Sequence, residues 1–66
     1  MDIMLNGAPA RFPEGSTIAS LLAGTGLGVR RVAVEVNGTI VPRSQHPTHE
    51  LRDADRVEIV HALGGG

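Results

Sequence analysis

The chain has 66 residues, a formal net charge of −1, 41% hydrophobic residues and one aromatic, Phe12. A chain of this size makes one small globular domain that buries only about 60% of its unfolded surface. The charge balance excludes the clustered basic surface that nucleic-acid binding requires. The absence of cysteine excludes disulfides, thiolate metal sites and side-chain thiol chemistry. No apolar run approaches the ~20 residues of a membrane span, and no basic region followed by an apolar one opens the chain. A cytoplasmic protein with no nucleic-acid and no membrane partner is expected. All six basic residues are Arg, so no lysine is present to accept an isopeptide bond.

In chain order, Met1 to Leu5 places Ile3 and Leu5 on one face of a strand and Asp2, Met4 and Asn6 on the other. Asn6-Gly7 is a strong hairpin signal, because both residue types tolerate the positive φ of a type I′ turn. Ala8 to Phe12 returns as the second strand and Pro13 ends it. Ser16 or Thr17 suits a helix N-cap, and Ile18, Leu21 and Leu22 form one apolar stripe at i, i+3 and i+4. Gly24, Gly26 and Gly28 break that helix soon after Ala23, leaving about two turns. Arg31 to Val36 alternates as a strand, Asn37-Gly38 repeats the hairpin signal, and Thr39 to Val41 returns until Pro42. Arg43 to His49 is expected to be irregular, Glu50-Leu51 a brief strand, and Asp53-Ala54-Asp55 a turn. The last strand spans Arg56 to Leu63, with Val57 and Ile59 inward and Glu58, Val60 and Ala62 outward.

One short helix over one mixed sheet of four to five strands is an α+β fold. Placing the last strand beside the first, in the middle of the sheet, makes it a β-grasp (ubiquitin-like) fold. The expected division is a domain over 1–62 and a flexible glycine tail over 63–66.

His46 and His49, in an H-x-x-H pattern, and His61 lack the three or four converging ligands of a zinc site, so solvated loop histidines are the preferred reading and no metal site is expected. Asp53 and Asp55 are better explained by a turn than by paired acid–base work. Ser16, Ser20 and Ser44 have no assigned base, so no catalytic residues are expected. The glycines of 24–28 follow a helix rather than opening one, which is the wrong order for a phosphate loop.

The remaining chemistry lies in Leu63-Gly64-Gly65-Gly66. Three extended residues reach roughly 10 Å, so a terminal carboxylate on such a thin strand could enter a narrow channel in a partner. Once activated, that carboxylate would be an acyl donor. Val60, Ala62 and Leu63 are the candidate docking residues for such a partner, with Arg52 and Arg56 as rim contacts; solvated charges are the plainer reading of the two arginines.

Several segments together resemble the ThiS family, the bacterial sulfur carriers of thiamine biosynthesis, over essentially the whole chain. They are the opening Ile3-Met4-Leu5-Asn6-Gly7, the run Val36-Asn37-Gly38-Thr39-Ile40-Val41-Pro42-Arg43 followed by Gln45, and Arg56-Val57-Glu58-Ile59-Val60 leading to Gly65-Gly66. The resemblance implies a protein co-substrate rather than an enzyme, with no bound cofactor. A partner adenylyltransferase of the ThiF type would use ATP and magnesium to convert the Gly66 carboxylate to an acyl-adenylate. Sulfur from a cysteine desulfurase-derived persulfide would then give a thiocarboxylate, which a thiazole synthase of the ThiG type would accept. Gly64 and Gly65 would thread the partner channels. A sulfur carrier for molybdopterin synthase, a ubiquitin-like modifier and a noncovalent binding module are the alternatives.

Overall fold

The structure, a computed structural model, describes residues 1–26 and 31–61, without the side chain of His61. Five strands and one α-helix follow in the order β1 (Asp2–Leu5), β2 (Ala8–Arg11), α1 (Ile18–Thr25), β3 (Val32–Val36), β4 (Thr39–Val41) and β5 (Arg56–His61). Both expected hairpins are present. Their turns take positive φ at both central residues, 51° and 81° at Asn6-Gly7 and 52° and 85° at Asn37-Gly38, the twist that joins neighbouring antiparallel strands without splaying them.

The sheet order is β2-β1-β5-β3-β4. β5 is parallel to β1, with Leu5 opposite Val57, and antiparallel to β3, with Val34 opposite Ile59. The first and last strands are therefore central neighbours, as expected of a β-grasp fold, and the described residues form five strands.

Thr17 caps α1 reciprocally with Ser20: the Ser20 N–H donates to Thr17 Oγ1 at 3.2 Å and the Thr17 N–H donates to Ser20 Oγ at 2.8 Å. This capping box satisfies two amides that a helix start leaves unpaired. The helix contains Gly24 and ends at Gly26, whose left-handed backbone returns its N–H to Ala23 O and Leu22 O; Gly28 lies outside the described residues. Ile18, Leu21 and Leu22 are buried against Ile3, Val34, Val36, Val41, Leu51, Val57 and Ile59. An eight-residue helix persists through that packing rather than by its own propensity.

Three expectations for the connection between β4 and β5 are corrected. Arg43–Gln45 forms a 3₁₀ turn, and the following His46 is not solvated: it is only 6% exposed, with Nε2 3.0 Å from Val41 O. Its carbonyl accepts from the Ala19 N–H at 3.0 Å, so the residue joins the connection to β4 and to the helix. Glu50 makes a single antiparallel bridge with Thr17 rather than a strand of its own. A segment fastened across the start of a helix has no neighbouring strand with which to extend a ladder.

Candidate functional site

The candidate site is organised by β5, because the glycine tail follows it in the chain. Two side chains from the hairpin turns hold this strand by its backbone. Asn6 donates its N–H to Val57 O at 2.9 Å and accepts the Ile59 N–H on Oδ1 at 2.7 Å. Asn37 donates its N–H to Arg56 O at 2.8 Å and accepts the Arg56 N–H on Oδ1 at 2.9 Å. Asp55, 9% exposed, completes the start of the strand. Its Oδ2 accepts the Arg52 N–H at 2.8 Å and its Oδ1 accepts Asn37 Nδ2 at 3.0 Å. Asp53 Oδ1 accepts the Asp2 N–H at 2.7 Å. The two aspartates thus make turn and strand contacts, and their bonds are structural.

Alternation along β5 buries Val57 and Ile59 and leaves Glu58 and Val60 outward. Val60 is 52% exposed, opposite Ala33 on the face away from the helix. Ile40 and Met4 are the other exposed large apolar side chains among the described residues. The register puts them on the same face: Ile40 lies opposite Glu35, which faces Glu58, and Met4 lies opposite Arg56. This face is therefore a broken apolar surface around a glutamate pair. A depression of about 290 Å³ lies between Glu35, Asn37, Gly38, Arg56 and Glu58.

Arg52 and Arg56 are both exposed, but they do not share one rim. Arg56 lines that depression, whereas Arg52 borders a larger groove near Glu14, His49 and Asp53. The groove lies beside the start of β5, while the tail follows its far end, about 17–20 Å away for a six-residue strand. The other expected site residues, Ala62, Leu63, Gly64, Gly65 and Gly66, lie outside the described residues, as does the proposed boundary at 62/63. Among the described residues, no group of three His, Cys, Asp or Glu side chains is placed to hold a metal ion.

Sequence reasoning read Asn6 and Asn37 only as turn formers and missed their grip on β5. The Asn-Gly dipeptides signalled the turns, but nothing local specified a side-chain contact across 53 residues, as from Asn6 to Ile59. It also missed the face-to-face placement of Glu35 and Glu58, which depends on the register between β3 and β5.

The ThiS family model matches residues 3–66. The chain belongs to the ThiS family. Over 65 residues it is 38% identical to the sulfur carrier protein ThiS of Bacillus subtilis, covering 97% of this chain and 98% of that one. Over 66 residues it is 41% identical to a thiazole synthase of Magnetococcus marinus, a match covering all of this chain but only 20% of the relative's length. The crystal structure of the thiamine biosynthesis protein ThiS from Geobacter metallireducens superposes with a TM-score of 0.87 at 29% identity, covering both chains fully. The β-grasp sheet described above is thus shared with that ThiS structure.

Proposed function

We propose that this chain is a cytoplasmic sulfur carrier of thiamine biosynthesis, a co-substrate rather than an enzyme, loaded and unloaded at Gly66. The observation that carries this reading is the family match, which continues past His61 in the sequence and through Gly66. In the proposed cycle, a carboxylate oxygen of Gly66 attacks the α-phosphate of magnesium-bound ATP on a ThiF-type adenylyltransferase. Pyrophosphate leaves and an acyl-adenylate forms. The terminal sulfur of a desulfurase-derived persulfide then displaces AMP, giving an acyl disulfide. A thiol reduces the sulfur–sulfur bond and releases the thiocarboxylate. A ThiG-type thiazole synthase accepts the sulfur in exchange for an oxygen from its substrate or from water, which restores the carboxylate for another round.

The physical logic is one of activation. A carboxylate resists nucleophilic attack until it carries a leaving group, and adenylation supplies one. Gly64 and Gly65 allow the thin tail to thread a channel that side chains would block. Outside the channel, Val60 and the neighbouring outward face, with Ala62 and Leu63, dock the body. The Magnetococcus relative, a thiazole synthase with a segment matching this whole chain, supports the choice of thiazole synthase as the sulfur acceptor.

The test is the intact mass of the protein after incubation with ATP, magnesium, a family adenylyltransferase and a persulfide source under reducing conditions. A gain equal to replacing one oxygen by sulfur, localised to the C-terminal peptide, is expected. An unchanged mass with active partners would reject the carrier cycle in favour of a noncovalent binding domain.

A further inference from the structure

The two Asn-Gly turns have the same local sequence chemistry but are held differently. Asn37 is fixed at both ends of its amide: Oδ1 accepts the Arg56 N–H and Nδ2 donates to Asp55 Oδ1 at 3.0 Å. Asn6 is fixed at one end only, by the Ile59 N–H at 2.7 Å. Both asparagines are exposed, but the Nδ2 of Asn6 has no partner among the described residues. Asn-Gly is the dipeptide most open to intramolecular attack, because glycine offers no side chain to hinder the approach of its nitrogen.

We infer that Asn6-Gly7 is the preferred site of spontaneous deamidation in this protein, and that the isoaspartate formed there releases the Ile59 amide of β5. In the reaction, the Gly7 nitrogen attacks Asn6 Cγ and loses its proton as ammonia departs, closing a succinimide. Water opens the ring at either carbonyl, giving aspartate or isoaspartate. The aspartate keeps a carboxylate where Oδ1 was and still accepts the Ile59 N–H. Isoaspartate routes the main chain through the former side chain, adding one methylene to the backbone and leaving a shorter carboxylate that no longer reaches Ile59. At Asn37 the same reaction must also give up the Asp55 bond and would place a second carboxylate against the nearly buried Asp55.

The experiment is a time course of the folded protein at mildly alkaline pH, with peptide mapping that separates aspartate from isoaspartate, beside the same chain in urea. Product at residue 6 should form about fivefold faster than at residue 37 in the folded protein, the effect of one additional hydrogen bond. The two rates should converge in urea, where both dipeptides lose their contacts. Equal rates in the folded protein, faster reaction at Asn37, or no reaction at Asn6 while the unfolded chain reacts would overturn the assignment. In the purified isoaspartate fraction, hydrogen exchange at the Ile59 amide should accelerate; unchanged protection would overturn the proposed release.

Discussion

Asn37 and Asp55 meet side chain to side chain, with Nδ2 donating to Oδ1 at 3.0 Å, and the bond joins the second hairpin turn to the residue before β5. Asp55 is 9% exposed, so its partners matter more than those of a solvated acid. Asn37→Asp keeps a residue type that tolerates positive φ but removes the donor and opposes two carboxylates. It should destabilise the domain by about 2 kcal/mol, the scale for losing a hydrogen bond to a charged group. Urea denaturation of the variant beside the wild type measures this, and an unchanged midpoint would refute the assigned role of the pair.

Ala54 sits at φ 71° without being glycine, held there as its N–H donates to Asp2 O at 2.7 Å. A Cβ in the left-handed region costs roughly 1–2 kcal/mol, part of which glycine would return through its greater freedom when unfolded. Ala54→Gly should therefore raise stability by about 0.5–1 kcal/mol. Thermal denaturation should show the higher midpoint, and a lower one would mean that the methyl group contributes packing that outweighs the strain.

Glu35 and Glu58 are direct cross-strand partners at the centre of the outward face. Like charges in that position repel, with cross-strand pairs worth roughly 0.2–1 kcal/mol. Glu58→Gln should stabilise the isolated domain by a few tenths of a kcal/mol, with the gain shrinking as salt is added. A gain that does not change with salt would point away from electrostatic repulsion as its cause.

Gly65→Ala separates folding from loading. The buried core residues among the described positions run from Ile3 to Ile59, so the variant should denature with the wild-type midpoint. In the proposed cycle it should lose sulfur loading, because the added Cβ obstructs the channel. A wild-type rate of thiocarboxylate formation, read by intact mass, would show that the tail needs no glycine at 65.

The elements that were legible in the sequence are those fixed by short-range chemistry. The Asn6-Gly7 and Asn37-Gly38 turns, the Thr17 cap, the Ile18, Leu21 and Leu22 stripe and the alternation of Val57, Glu58, Ile59 and Val60 all follow from residues a few positions apart. The less legible features are long-range. His46 is polar and sits in a Pro-containing segment, so its composition reads as solvent-exposed; its burial follows from the place of the connection against β4 and α1. Asp55 reads as a turn residue from its neighbours, yet its two oxygens are committed to Arg52 and Asn37. At the candidate site, the outward direction of Val60 was legible from alternation, whereas its grouping with Ile40 and Met4 required the sheet order.

The central place of β5 also sets when the molecule can become itself. Its neighbours β1 and β3 are made much earlier, and the bond from the Ile59 amide to Asn6 spans 53 positions. Such distant pairings must overcome the entropy of a long loop before they contribute. During synthesis the first hairpin, the helix and the second hairpin emerge in turn with an empty slot where the middle of the sheet belongs. Only when the ribosome has released Ile59 can that slot be filled, and an arrested chain lacking β5 would present two hairpins with unpaired inner edges to the quality-control machinery.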